Sequence, residues 1–208
     1  MHWFKKPESN QSVQKSKDEL HEYWRNPDEM NVTSGHLLGG KCSEYLVSLI
    51  KQFLKSDASI LELGCSIGRN LHQLWKADYH NLSGIEINPE ALKLMKQNFP
   101  DMQVETHQGS IEDRIEELGE YDLVFTIAVL EHIHSDSEWV FSEMARKAKR
   151  YLITIEGEEK NVSELHFPRN YKDIFEGLGL HQVFEKHLSR NEGLNANFYA
   201  RVFSRDYS

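Results

Sequence analysis

The chain has 208 residues, 39% hydrophobic and 27% charged, which suits one sizeable globular domain and is short for two. A net charge of -9 sets the surface against phosphate backbones, so no nucleic-acid partner is expected. No apolar run approaches the roughly 20 residues of a membrane helix, and the first residues lack the apolar core of a signal peptide.

Residues 1–17 are polar and unpatterned apart from Trp3 and Phe4, and read as a mobile arm. "KDELHEYWRNPDE" then places Leu20, Tyr23 and Trp24 at helical spacing and stops at Pro27. "TSGHLLGGKCSEYLVSLIKQFL" is a loop feeding a helix whose apolar face is Tyr45, Leu46, Leu49, Ile50 and Phe53. From residue 58 strands and helices alternate. Strands are predicted at 59–64, 81–87, 102–107, 121–129 and 150–157, and helices at 68–77, 89–98, 111–118 and 136–148. The strands are near-continuous apolar runs, as a parallel sheet covered on both faces requires. "RKAKR", at 146–150, reads as the solvated end of a helix. After residue 157 the rhythm changes. "NYKDIFEGLG" is a helix ended by glycine, and "LHQVFEKHLS" and "NFYARVFS" are two strands joined through "SRNEGLNA". The expected fold is α/β: a seven-stranded, mostly parallel sheet with an antiparallel C-terminal edge pair and helices on both faces. Residues 1–40 would be an arm and helical cap, and 41–208 the main domain. Cys42 and Cys65 have neither metal-ligand nor disulfide spacing, which fits a reducing cytoplasm.

"ILELGCSIGRNLHQLW" runs a strand through a tight glycine turn into a helix. Gly64 and Gly68 let the backbone turn sharply and approach a ligand. The spacing is not G-x-G-x-x-G, and no Lys-Ser/Thr pair cradles a phosphate, which weighs against a nicotinamide dehydrogenase and a nucleoside triphosphatase. "GIEINPEAL" ends the second strand with Glu86, 18 residues beyond Gly68, where a carboxylate can accept both hydroxyls of a ribose. Asn88 caps the next helix, with Pro89 at its first position.

Four ordered motifs, "LELGCSIGRN", "GIEIN", "GSIED" at 109–113 and "YDLVFTIAVLEHI", together resemble the class I S-adenosylmethionine-dependent methyltransferases. That resemblance implies a Rossmann-like sheet and S-adenosylmethionine as cofactor. It places Glu62 and Gly64 at the methionine and ribose end, with Cys65, Gly68 and Asn70 in the same turn and helix start. Glu86 would hold the ribose hydroxyls, Ile87 would lie against the adenine face, Ser110 and Ile111 would meet the adenine edge, and Thr126 would sit under the methionine. Two residues depart from the family pattern. Ser66 stands where the middle glycine belongs and can occupy the turn if its φ is negative. Ser110 stands where an acid often takes the adenine amino group.

"TIAVLEHIH" follows the fourth strand with Glu131, His132 and His134. Some methyltransferases of this class carry Glu-x-x-Glu-His here around a divalent ion. Ala128 removes one such ligand, although His166 of "SELHFPRNY" could approach from another loop; no metal is assigned. His132 is the candidate general base, or a bystander lining the pocket. Glu131 is expected to be held by backbone amides at the strand-to-helix corner, and His134 to be exposed. Tyr23, Trp24 and His36 in the N-terminal region, and Glu156, Arg169 and Tyr171 opposite, are further candidates at the acceptor pocket. Tyr23 and Trp24 read first as helix packing and Arg169 as a solvated loop residue. The expected function is methyl transfer to an oxygen or nitrogen of a small-molecule acceptor. The alternatives are a non-catalytic cofactor-binding regulator and a metal-assisted methyltransferase. Oligomeric state is not legible.

Overall fold

Each apolar run becomes a strand because the layers above and below it are both protein. In the computed structural model, which describes residues 14–27, 40–158, 163–189, 192 and 198–206, seven strands form one sheet. They are β1 (Ile60–Leu63), β2 (Leu82–Glu86), β3 (Glu105–Gln108), β4 (Tyr121–Ile127), β5 (Ala148–Gly157), β6 (His181–His187) and β7 (Phe198–Ser204). Residues 1–13 of the expected N-terminal arm, His36 and most of the loop before β7 lie outside the described residues.

The strand order is β3-β2-β1-β4-β5-β7-β6. β1 pairs parallel with both β2 and β4, and β7 pairs antiparallel with β5 and β6. The chain therefore reverses its direction of travel across the sheet between β1 and β4, which opens a crevice at their carboxyl ends. Alternate strand residues face opposite layers. Ile60, Leu123, Phe125, Ile153 and Ile155 pack with helices α2 (Lys41–Ile50), α3 (Arg69–Lys76) and α4 (Pro89–Asn98). Leu61, Leu63, Ile85, Val124 and Leu152 pack on the other face with α5 (Ile111–Arg114), α6 (Trp139–Lys147) and α7 (Tyr171–Gly177).

Differences from the expected boundaries have local causes. The helix predicted at 111–118 splits into α5 and a 3-10 turn, Ile115–Glu117, and α6 starts at Trp139 after a 3-10 turn at Ser135–Ser137. "RKAKR" is only in part a solvated helix end: Arg146 in the last turn of α6, and Lys149 and Arg150 beyond it, are exposed, but Lys147 is not. The chain passes straight from α6 into β5, and Lys147 is only 1% exposed. Its ammonium donates to the carbonyls of Glu116 and Leu118, satisfying the end of the neighbouring 3-10 turn.

The helix before Pro27 forms as α1 (Lys17–Arg25). Ser16 and Glu19 make a capping box, the Glu19 amide donating to the Ser16 hydroxyl (3.4 Å) and the Ser16 amide to the Glu19 carboxylate (2.9 Å). Leu20 is its one buried residue, so nine residues of helix depend on docking for stability. It docks over the mouth of the crevice: the Lys15 amide donates to the Glu164 carbonyl, the Gln14 side chain donates to the His166 carbonyl, and the Trp24 ring packs against that of His132, tilted by 52°.

Candidate active site

The crevice is a cavity of about 460 Å³ running from the β1 and β2 ends to the underside of α1. Its first half is built from the turn after β1. Gly64 has φ +71, and a Cβ there would lie 2.6 Å from Val129 Cγ2, so both conformation and space call for glycine. Ser66 does not meet the condition of negative φ, because its φ is 49. That left-handed residue is pinned by its own amide, which donates to Glu86 Oε2 at 2.7 Å. The second Glu86 oxygen accepts from the Asn88 amide at 2.7 Å. Burial raises the pKa of Glu86, and the amides of Asn88 and Ser66 pull it back. The carboxylate is therefore locked at the tip of β2.

Glu62 is 1% exposed, and its Oε1 accepts from Asn70 Nδ2 at 2.7 Å. Asn70 Oδ1 in turn accepts from the Ser43 hydroxyl on α2 at 2.6 Å. Glu62 Oε2 is buried without a hydrogen bond. Burial pushes the Glu62 pKa up to about 8, so the group is largely protonated at neutral pH.

The second half is the corner after β4. Ala128 takes φ 55 there, and the amides of Val129 and Leu130 both donate to Glu156 Oε2, at 2.9 and 3.0 Å. The backbone-amide role expected of Glu131 thus belongs to Glu156, which is wholly buried, its pKa raised to about 8 by burial and by the nearby Glu131. Glu131 instead points past Gly157, where an added Cβ would overlap its Oε2, and burial lifts its pKa to about 7. His132 Nδ1 lies 2.8 Å from the Leu165 carbonyl, a contact that requires the Nδ1–H tautomer and leaves the lone pair on Nε2. Burial lowers the His132 pKa to about 4, and the neighbouring His166 adds to that. The ring sits between Trp24 (4.5 Å) and His166 (4.8 Å).

Of the expected site residues, Glu62, Gly64, Cys65, Asn70, Glu86, Ile87, Ser110, Ile111 and His132 all line this one cavity. Gly68 and Thr126 do not. Gly68 caps the start of α3 and faces Met95, and Thr126 is wholly buried in the sheet. The Ser110 hydroxyl accepts the Asp113 amide at 3.1 Å, capping α5. His134 is not exposed: it lines the cavity and its Nδ1 accepts the Asp136 amide. Arg169 is not a solvated residue either. Its guanidinium donates to the carbonyls of Leu130 and Phe167, and Tyr171 is core. Among the lining residues that escaped the sequence reading are His21 and Glu112, which meet at 3.1 Å across the cavity rim. Burial works against the charge on Glu112, yet the His21 contact holds its pKa below the usual value. The available signal was the stripe Lys17, Leu20, His21, Trp24, spaced to share one helix face.

Residues 60–151 match the sequence family described as "Methyltransferase domain". The magnesium protoporphyrin IX methyltransferase of Synechocystis PCC 6803, solved with bound S-adenosylhomocysteine, is 15% identical; the match covers 92% of this chain and 100% of that one, with a TM-score of 0.72. A TehB-like S-adenosylmethionine-dependent methyltransferase from Corynebacterium glutamicum is 19% identical over 81% of this chain and 89% of that one, with a TM-score of 0.62. A chain from the complex of the Haloferax volcanii Trm112 methyltransferase activator with a methyltransferase is 13% identical over 93% and 100%, with a TM-score of 0.70. At these identities the neighbours establish the fold. No curated protein matches by sequence. Among the described residues no helix is long and apolar enough to cross a membrane. The methyltransferase-domain match spans the turn after β1, the tip of β2 and the corner after β4 that build much of the cavity, and the chain as a whole shares the fold of S-adenosylmethionine-dependent methyltransferases of known structure.

Proposed function

We propose that this enzyme moves the methyl group of S-adenosylmethionine to an oxygen or nitrogen of a small-molecule acceptor in the cytoplasm. The observation that carries the reading is one continuous cavity with two chemically different ends: the held carboxyl groups of Glu62 on β1 and Glu86 on β2, and neutral imidazoles beneath α1. A pocket in the roughly 300–1,000 Å³ range suits a cofactor with a small acceptor beside it. The net charge of -9 speaks for an acceptor other than nucleic acid.

In this reading Glu86 receives the ribose hydroxyls on lone pairs that its two amide donors leave free. The unpartnered Glu62 Oε2 faces the methionine end, with Asn70 holding the carboxyl in place and Cys65 filling the space behind the turn. Ile87, Ser110 and Ile111 bound the adenine. Gly68 and Thr126 act one layer back, through the helix start and the sheet. The sulfonium already activates the methyl, so the protein supplies alignment and exclusion of water, with α1 as the cap.

His132 supports the acceptor end. Held near pKa 4 by burial, it is neutral at physiological pH and presents Nε2 as an acceptor. So weak a base takes a proton only as positive charge develops on the nucleophile during transfer. His132→Asn is expected to lower turnover by about 100-fold while leaving affinity for S-adenosylhomocysteine within about twofold, measured by calorimetry beside a methyl-transfer assay. No binding of S-adenosylmethionine or S-adenosylhomocysteine at millimolar concentration sinks the whole reading; unchanged turnover in the variant makes His132 a bystander.

A further inference from the structure

Two segments far apart in sequence deliver three ligand-type side chains to the end of the cavity beneath α1. Glu131 and His132 come from the 3-10 turn after β4, and His166 from the segment between β5 and α7. One ligand atom from each lies within 4.8 Å of the others, and all three residues line the cavity. They are oriented in advance. His132 spends its Nδ1–H on the Leu165 carbonyl, which fixes the ring and turns Nε2 toward Glu131 Oε1, 3.8 Å away. Metal-bound histidines are held in this way, by an acceptor on the nitrogen that does not ligate. His166 faces His132 ring to ring at 4.8 Å, with its Nδ1 buried and without a hydrogen bond. Glu131 is 12% exposed at its side chain, and among the described residues no lysine or arginine pairs with it. A buried nitrogen without a partner and a carboxylate without a cation each cost free energy. One shared cation relieves both.

We infer that Glu131, His132 and His166 form a binding site for one divalent transition-metal ion. Two imidazole nitrogens and a carboxylate oxygen suit Zn²⁺, Mn²⁺, Fe²⁺ or Co²⁺ better than Ca²⁺ or Mg²⁺. With metal–ligand bonds near 2.1 Å the ligand atoms sit roughly 3 Å apart, so the three close by up to about 2 Å, within the reach of side-chain rotation. Three protein ligands leave open positions toward the cavity, where an oxygen of the acceptor completes the shell. That catalytic role rests on the methyl-transfer reading. The acceptor's O–H proton leaves to solvent, its oxygen forms the new bond to the methyl carbon, and the methyl–sulfur bond breaks to leave a neutral thioether. With the ion bound, His132 Nε2 is committed to it, and activation of the acceptor passes from imidazole to cation.

The test titrates the chelator-treated full chain with Co²⁺, followed by visible absorption and calorimetry. One equivalent should bind at micromolar Kd or tighter, His166→Ala and Glu131→Gln should each weaken it by about 30-fold or more, and His80→Ala, at an exposed site, should not. No binding below about 1 mM, or equal binding in all variants, overturns the site. S-adenosylhomocysteine is titrated into the same metal-free samples. Cofactor binding without Co²⁺ binding removes the metal site and leaves the methyl-transfer reading standing. Co²⁺ binding without cofactor binding keeps the site and removes its catalytic role.

Discussion

The two ends of the cavity are built on opposite principles. At the β1–β2 end, Glu86 is fixed by two amides within a few residues of the turn it braces, and Glu62 by a relay through Asn70 to Ser43. At the β4–β5 end, Glu131, His132 and His166 face one another with few hydrogen bonds, and the order there comes from behind, through Glu156 and the Leu165 carbonyl. The first arrangement suits a ligand that never changes. The second leaves donor atoms free for one that does, and that freedom needs a rigid backing.

The backing gives the largest expected effect. Glu156→Ala leaves the Val129 and Leu130 amides unsatisfied in the core and opens a void, costing about 2–4 kcal/mol in urea unfolding. If the contrast between the ends holds, turnover falls much further than affinity for S-adenosylhomocysteine. Equal losses in both would show that the corner serves the cofactor as much as the acceptor.

Next comes Glu86→Ala, which removes both amide contacts and the proposed ribose contacts. Hydrogen bonds to a charged group are worth about 1.5–3 kcal/mol each, so S-adenosylhomocysteine should bind about 100-fold more weakly by calorimetry. Metal binding at the far end should not change. Undiminished cofactor affinity would place the ribose elsewhere.

How much of each end was legible follows from the same contrast. Strand, turn and helix are contiguous from Ile60 to Lys76, and Glu86 follows one strand later, so a local reading of glycines and acids finds the cofactor end. The other end is assembled from α1, the β4 corner, the tip of β5 and the segment around His166. Only the β4–β5 register, Ile127 beside Ile155, puts Glu156 under the corner. Nothing in "VLEHI" distinguishes a glutamate held by amides from one that faces the cavity, and so the role fell to Glu131 instead of Glu156. His21 is missed and Arg169 misread for a related reason: their partners, Glu112 and the Leu130 carbonyl, are 91 and 39 residues away. The overall fold was more legible, because continuous apolar strands separated by helices admit few arrangements.

A smaller effect tests whether Glu62 is held protonated. Its folded-state pKa, about 8, lies above the ordinary carboxylate value expected of the unfolded chain. Below about pH 4 both states carry the proton and the group is neutral toward stability. As pH rises toward 8 the unfolded state ionises while the folded state resists, so stability is lost on going up in pH. Glu62→Gln keeps an acceptor for Asn70 and cannot ionise. Wild type minus variant stability should therefore decline between pH 5.5 and 7, by at most about 2 kcal/mol in urea melts. A flat difference would mean that Glu62 is charged in the folded protein, closer in kind to the pinned Glu86.

The smallest change falls on the turn itself. Ser66 occupies the left-handed region at φ 49, where a side chain is strained by about 1 kcal/mol and glycine is not. Its amide donates to Glu86, so Ser66→Gly keeps that contact. Relief of strain is partly offset by the greater freedom of glycine in the unfolded chain, which leaves a net gain of about 0.5 kcal/mol. The expected result is a slightly raised Tm with cofactor affinity unchanged. A loss of affinity would overturn the view that backbone alone shapes this end, because it would assign the serine hydroxyl to the ligand. A large loss of stability would show instead that its side chain packs within the turn in a way that glycine does not replace.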